Sequence, residues 1–451
     1  MRKYVVVGVI AAVLATPTVA VPEATALAAS VAGREGHHDG GRSGGFTETK
    51  THHGKKAQDG KKGHDGGKKH LHRGRAFHVA DGVLFNTPFS DQFRIMSKQL
   101  REIRHTFRGE KIRIMSWNFQ SNAVTNALIN AHQRGVSVRV FMARTLVNPN
   151  FRRLANALKQ GNRHRPKTMR SWARTCDHSC RGKGGAMHSK WMTISKSGTT
   201  QWVVGEGSAN LTTAAAVNQW NDWLTTTGNR TIYRGFQKVF RQATHDRKYP
   251  AVQFRTGNIV TWFAPRPGRA DLVMKMLDNV RCSGARGAGI NGHTAIRIAS
   301  AVIQGPRGQR IAHKIKDLQN AGCNIRMLYT LSTNEVLNIL HGVPLRHLAY
   351  DTDGDGAFDN YLHMKAMSIS GNYGGDRGTH IVFNGSANWS PIGTISDEQG
   401  MIVRDEALEK QYGKWITSLY NHAPAGRLTT PQYYRSRGLP NPYKGLELEL
   451  R

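Results

Sequence analysis

The chain has 451 residues, more than one small core needs, so two domains or one duplicated domain is the expected organisation. It carries 64 Lys and Arg against 30 Asp and Glu, a formal net charge of +34, which argues against a cationic partner and for an anionic one: nucleic acid, an acidic membrane surface, a cell-wall polymer or a phosphate ester. After the first thirty residues no stretch is long and apolar enough to span a bilayer as a helix, and the mature protein is expected to be soluble outside the cytoplasm.

The chain opens with Arg2 and Lys3, an apolar run from Tyr4 to Ala15, and small-residue sites at Thr18-Val19-Ala20 and Ala26-Leu27-Ala28. This reads as a secretory signal peptide over 1–28, and the protein is expected to be secreted and extracellular. Residues 29–78 are rich in Gly, His and Lys, with hardly an apolar side chain to bury. They are expected to form a disordered basic tether, a spacer that adheres weakly to anionic surfaces and holds much of the positive charge.

From residue 79 the composition is globular and the chain compares with itself. "EKIRIMSW" (Glu110 to Trp117) has a counterpart in "TAIRIASA" (Thr294 to Ala301), both alternating as half-buried strands do. Each precedes a helical pattern ended by a glycine, Gly135 or Gly322, and then a strand, "VSVRVFM" or "CNIRMLY". Strand, helix, strand twice over predicts a duplicated α/β unit with parallel pairing, the halves spanning 79–250 and 251–451.

Four cysteines in an exported chain suggest two disulfides, Cys176 with Cys180 and Cys282 with Cys323. A zinc site built from Cys176, His178 and Cys180 would lack a convincing fourth ligand. Before the second motif, "DTDGDGAFDNYL" sets Asp351, Asp353, Asp355 and Asp359 at positions 1, 3, 5 and 9 of a calcium loop, with Gly356 at the turn and Leu362 in place of the usual Glu. A weak structural Ca²⁺ is expected there, against the alternative of an acidic surface turn.

The repeated motif is "MHSKWMTIS" (Met187 to Ser195) and "LHMKAMSIS" (Leu362 to Ser370). Within a strand, His188 would project beside Lys190 and His363 beside Lys365. Each copy is followed by Gly-Ser-Ala-Asn, contributing Ser208 and Asn210 or Ser386 and Asn388, and then by an acid, Asp222 or Glu398. Two imidazoles, two ammoniums, two hydroxyls and two amides meeting at one place suit a phosphodiester. One His would attack phosphorus while the other protonates the leaving oxygen, with Lys, Ser and Asn holding the phosphate oxygens.

Over residues 80 to 435 this paired pattern resembles the phospholipase D superfamily, whose signature is His-x-Lys-x4-Asp in each half of a pseudo-symmetric α/β sandwich with one site at the interface. The resemblance implies that His188 is the nucleophile and His363 the general acid and base, an order the residues alone leave open. It also implies that no metal is required for catalysis. Ser195 and Ser370 stand where the signature has Asp, in supporting positions. The expected activity is phospholipase D hydrolysis, or transfer, of the phosphatidyl group of glycerophospholipids such as phosphatidylcholine at a membrane or micelle surface. The alternatives are an endonuclease acting on DNA or RNA and a noncatalytic binder of anionic surfaces. A monomer is expected, with residues 163–185 and 371–379 at the rim of the site.

Overall fold

The computed structural model describes residues 76–267, 271–426 and 428–446; the signal peptide and nearly all of the tether expected over 1–78 lie outside the described residues. The first half runs β1 (Gly82–Asn86), α1 (Arg94–Arg104), β2 (Lys111–Ser116), α2 (Asn122–Gln133), β3 (Ser137–Ala143), α3 (Pro149–Lys159), β4 (Trp172–Cys176), β5 (Lys190–Ser197), β6 (Thr200–Gly207), β7 (Gln219–Thr226) and α4 (Arg230–Ala243). The second half repeats the pattern from β8 (Val252–Thr256) and β9 (Ile259–Phe263) through α5 (Leu272–Asp278), β10 (Ala295–Ile303), α6 (Gly305–Asn320), β11 (Asn324–Ser332), α7 (Asn334–Ile339) and β12 (Leu345–His347). It continues with β13 (Ala349–Tyr350), β14 (Asn360–Leu362), β15 (Lys365–Tyr373), β16 (Asp376–Gly385), β17 (Gln399–Arg404) and α8 (Glu406–His422).

The expected repeat is present. β2 pairs in parallel with β3, and β10 with β11, while β5 and β15 run antiparallel beside β2 and β10. The helix between each parallel pair forms for local reasons. In α2 the Ser121 side chain accepts the Val124 N–H at the N-cap, and Gly135 takes a left-handed φ of 94° just past the end, where a side chain would be strained.

Each sheet is covered on both faces, which is why its central strands are buried along nearly their whole length. Outside the first sheet, Ile103, Leu128 and Leu154 of α1, α2 and α3 pack on Ile112, Ile114, Val138 and Val140. Val273, Ile311 and Ile315 do the same over Ile296, Ile298 and Met327 of the second. Between the halves, Phe236 and Phe240 of α4 and Tyr412 and Ile416 of α8 meet Met115, Trp191, Val382 and Met401. Each such fully buried side chain is worth about 1.5–3 kcal/mol in transfer from water, so the joint between the halves is a core and not a hinge. Both disulfides, Cys176–Cys180 and Cys282–Cys323, are formed as expected. No helix among the described residues is long and apolar enough to cross a membrane.

The halves also exchange strands. β13 and β14 of the second half add to the edge of the first sheet, where β14 runs parallel to β7 with Leu362 opposite Trp220. Reciprocally, Met187 forms an isolated parallel bridge with Asp397, two residues before the second sheet's β17. Each half hands the residue before its motif histidine to the other half's sheet.

Candidate active site

That exchange delivers the histidines. His188 and His363 lie just before β5 and β15, not within them as expected, because the strand pairing with β2 and β10 begins at Lys190 and Lys365. Each backbone N–H is instead claimed by the opposite half or sheet: His188 donates to the Asp397 carbonyl (3.1 Å) and His363 to that of Trp220 (3.0 Å). Each lysine folds back along its own motif, Lys190 Nζ donating to the His188 carbonyl (2.8 Å) and Lys365 Nζ to that of His363 (2.6 Å). All four residues are at most 2 % exposed.

The rings are oriented by partners across the interface. His188 Nδ1–H donates to Glu398 Oε1 (2.8 Å) and His363 Nδ1–H to Asn221 Oδ1 (2.9 Å). Asn221 is fixed in that orientation because its Nδ2 donates to the Ala215 carbonyl and to Gln219 Oε1, while its Oδ1 also accepts from Ser208. With Nδ1 committed, both rings are left with a bare Nε2, and neither Nε2 has a hydrogen-bond partner among the described residues. Burial lowers the His188 pKa to about 4, with Glu398 opposing and Lys190 and Lys365 adding to the shift. Burial also lowers that of His363 well below the ordinary value, reinforced by Lys365, Lys190 and His188. Lys365 acts on His188, and Lys190 and His188 act on His363, so the two motifs face one buried region.

Several expected roles change. Asp222 does not support a histidine; its neighbour Asn221 does, and it is Asn221 that corresponds to Glu398, because Trp223 opposes Gly207 as Gly400 opposes Gly385. Counting residues from each Gly-Ser misses this, since the first copy holds one residue more before the strand. Asp222 instead faces the joint beneath the site, accepting from Tyr412 Oη (2.7 Å) and Asn384 Nδ2 (3.3 Å). Asn384 also donates to Glu206 (2.9 Å), whose carboxyl is pushed up to about 8 by burial and by Asp222. Ser208 and Ser386 do not face a phosphate: their hydroxyls donate to Asn221 and Glu398, so they brace the residues that hold the histidines. Asn210 and Asn388 are buried in the turns beside them.

Ser195 and Ser370 lie five residues beyond the lysines, about 17 Å along a strand. Ser195 Oγ donates to Glu110 and accepts the Lys111 N–H (2.7 Å), so a carboxylate is brought to the position from a neighbouring strand rather than carried by the motif. Ser370 Oγ lies 3.3 Å from His380 Nδ1, which is itself 2.9 Å from Glu409.

Of the expected rim, residues 371–379 form the β15–β16 hairpin at the end of the strand away from His363. Part of 163–185 does reach the site. The loop closed by Cys176–Cys180 donates the Cys180 N–H to the Asp397 carboxylate, which burial pushes up to about 7 against Ser179 and Arg181. Arg181 is fully buried and ties this loop to the carbonyls of Ala264 (2.9 Å) and Pro250 (2.8 Å). Sequence reasoning also missed Trp117, packed edge-on to His188 with centroids 5.3 Å apart, and Gln399, which brackets the Lys190 backbone by accepting its N–H (3.0 Å) and donating to its carbonyl (3.1 Å).

In the acidic turn, oxygens of Asp351, Asp353 and Asp359 lie within 4.8 Å of one another and could hold a cation. Asp355, expected as a fourth ligand, is outside that group, its carboxylate accepting the Ala357 N–H (2.8 Å). The other three are also bonded within the turn, Asp351 to the N–H groups of Gly354 and Gly356, Asp353 to that of Asp355 and Asp359 to Thr352.

Comparison with known proteins gives the geometry its relatives. Residues 100–244 match the family model described as cardiolipin synthase, PLD-like domain. No curated protein sequence matches the chain. Among solved structures, polyphosphate kinase from Porphyromonas gingivalis is similar at 15 % identity and a TM-score of 0.50, covering 82 % of this chain and 55 % of its own, so the chain spans little more than half of that protein. Phosphatidylserine synthase from Haemophilus influenzae Rd KW20 is similar at 11 % identity and a TM-score of 0.47, over 76 % of this chain and 88 % of that one. A phospholipase D family member, Nuc from Salmonella typhimurium, is similar at 17 % identity and a TM-score of 0.29, over 37 % of this chain and 96 % of that one. The match to a PLD-like domain thus covers residues 100–244 of the first half, and the same strand order recurs in the second.

Proposed function

We propose that this protein is a secreted phospholipase D that hydrolyses, or transfers, the phosphatidyl group of glycerophospholipids through a covalent phosphohistidine. The observation that carries the reading is the unequal support of two otherwise equal histidines: carboxylate Glu398 behind His188, amide Asn221 behind His363. Attack by His188 Nε2 on phosphorus breaks the bond to the head-group oxygen and leaves a cationic phosphoimidazolium, which a carboxylate at Nδ1 stabilises and an amide does not. His363 gives its Nε2 proton to the departing oxygen, then takes one from the water or alcohol that attacks the phosphohistidine and releases the product. The free site disfavours that proton; the phosphodiester anion counters the charge of Lys190 and Lys365 and restores it. The two ammoniums, with Asn210 and Asn388, hold the nonbridging oxygens.

Lipid is favoured by apolar surface beside the site. Ile392 and Ile395 are exposed in the turn after Asn388. A largely apolar cavity of about 210 Å³ lies between Tyr249, Pro265, Pro267 and Ile395, with Lys183 and Lys248 at its edge. Phe89, 58 % exposed, packs on Trp220, whose carbonyl holds His363. Two disulfides support export, and a monomer remains part of the proposal.

A nuclease is the second reading, because the positive charge is not concentrated in the tether as expected. Thirteen of the 64 Lys and Arg precede Val79, leaving 51 in the remainder, and Arg139 and Arg174 flank the half-buried Trp172 on the outer edge of the first sheet (5.7 and 4.7 Å from its ring). The deciding experiment gives the purified protein phosphatidylcholine and ethanol without added metal, beside His188→Ala. Phosphatidylethanol that disappears in the variant is expected. No lipid product, with plasmid DNA cut by the wild type only, would replace the lipid reading with the nuclease.

A further inference from the structure

The two halves are copies, so each place in one shows what the other has gained or lost. Arg113 opposes Thr193 across β2 and β5 as Arg297 opposes Ser368 across β10 and β15, which makes Thr193 equivalent to Ser368 and Ser195 to Ser370. The helices α4 and α8 begin from equivalent caps, Asn229 and Asp405, so Tyr233 corresponds to Glu409 and Gln237 to Gly413. In the first half this helix face is filled. Gln237 Nε2 donates to Thr193 Oγ1 (2.8 Å), and Tyr233 packs against the core beside it.

In the second half it is hollow. Where Gln237 would be there is Gly413, and a cavity of about 400 Å³ opens between α8 and the Gly-rich turn before β10. Ser368 Oγ, buried 3.3 Å from where a Gly413 Cβ would stand, has no hydrogen-bond partner among the described residues. The Thr193 hydroxyl in the same place is satisfied.

The cavity is cationic and offers donors. Arg297, Lys410, Lys414 and His380 line it, against Glu409. Glu409 is bonded to His380 (2.9 Å), and Lys410 reaches outward to Glu406. Arg297 is 6 % exposed and spends its donors on Thr417, the Ile296 and Asn324 carbonyls and Asn324 Oδ1, and no carboxylate forms an ion pair with it among the described residues. Ser370 Oγ accepts the Gly289 N–H (3.0 Å); with His380 Nδ1–H given to Glu409, the Ser370 proton remains to donate. A buried guanidinium with no carboxylate in ion-pair contact among the described residues, Lys414 and the Ser370 hydroxyl suit a tetrahedral oxyanion.

We propose that this cavity is a second anion site, about 17 Å along β15 from Lys365, which binds the phosphate group of a small ligand, with Arg297 and Lys414 supplying charge and Ser370 donating a hydrogen bond. It does not depend on which phosphodiester the histidines cleave. Gly413→Gln, which rebuilds the side chain of the first half, is the test. Titration calorimetry of the full chain with inorganic phosphate is expected to find one more bound phosphate in the wild type than in the variant, with phosphodiesterase turnover unchanged within about twofold. If stoichiometries agree but the variant is retained at least fivefold less on phosphatidylcholine vesicles containing phosphatidic acid, the same cavity serves a lipid-borne phosphate. No difference in either assay overturns the proposal. Lys414→Glu, at the cavity's edge, repeats the comparison should Gly413→Gln fail to fold.

Discussion

Replacing Glu398 by Gln removes one charge from the site and little else. The amide oxygen can still accept from His188 Nδ1, now 2.8 Å from Oε1. The Ser386 hydroxyl, which donates to Oε2, can turn to Gln399 Oε1, already 3.0 Å away, and accept from the new amide N–H. What is lost is stabilisation of positive charge on the imidazole as phosphorus bonds to Nε2. A hydrogen bond to a charged group is worth roughly 1.5–3 kcal/mol against about 0.5–1.5 for a neutral one, and removing an electrostatic stabiliser from a closed site costs about 3–4 kcal/mol. A loss of about 2–3 kcal/mol corresponds to a roughly 30- to 150-fold fall in the rate of phosphoenzyme formation. The assay is rapid quench with a radiolabelled phosphodiester, followed by digestion and identification of the labelled histidine. A rate within threefold of wild type, or label on His363, would refute the assignment of His188 as the nucleophile supported by Glu398.

The remaining expectations use the same site and its supports. His363→Ala, given a substrate with an activated leaving group, should accumulate label on His188 because the base for the second step is gone, while His188→Ala should lose about 10⁴-fold or more in turnover and trap nothing. In wild type, kcat/KM should fall as pH drops through about 4, where His188 takes a proton on the nitrogen that must attack. Stability should follow the same histidines: both have folded pKa values below those of the unfolded chain, which therefore binds more protons between pH 4 and 6.5, so stability should decline as pH falls through that window. Denaturant midpoints should show a shallower decline in the double His→Ala variant. Ser195→Asp, which restores the motif acid, sets a carboxylate against Glu110 in a half-buried place and should cost about 1–3 kcal/mol, with activity per folded molecule nearly unchanged; adding Glu110→Gln should recover most of that stability.

The duplication, both disulfides, the parallel strand pairs and the four chemical residues could be read from the sequence because each rests on a local pattern that occurs twice. What could not be read depends on pairing between distant strands. Nothing local marks Asn360–Leu362 as a strand of the other half's sheet, since three residues carry no periodicity, yet that pairing carries His363 to Asn221. Asn221 itself is hidden because it is an amide and because one extra residue in the loop shifts the count from Gly-Ser, so the acid near that spacing, Asp222, is taken for the counterpart of Glu398. Hydroxyl chemistry alone points the Gly-Ser-Ala-Asn serines at phosphate; their direction is set by β7 and β17, where Asn221 and Glu398 wait as acceptors.

The same exchange explains why the copies can differ and still work as one site. Each histidine is aimed by the first residues of a strand that follows the partner motif's Gly-Ser turn: β7 orients His363, and the start of β17 orients His188. A substitution at one of these places therefore changes one ring and leaves the other alone. Asn221 against Glu398 is such a difference, at symmetry-equivalent positions in an otherwise matched pair of Gly-Ser turns. A perfectly symmetric pair of imidazoles could not distinguish attack from proton donation, and each would compete for both roles. One carboxylate is enough to break that equivalence, because it lowers the energy of a cationic ring on one side only. The buried Glu206 and Asp222 set against Asn384 and Gln399 repeat the asymmetry one layer below, which keeps two acids on one side of the joint and two amides on the other. Charge, rather than backbone geometry, is where the two copies have parted.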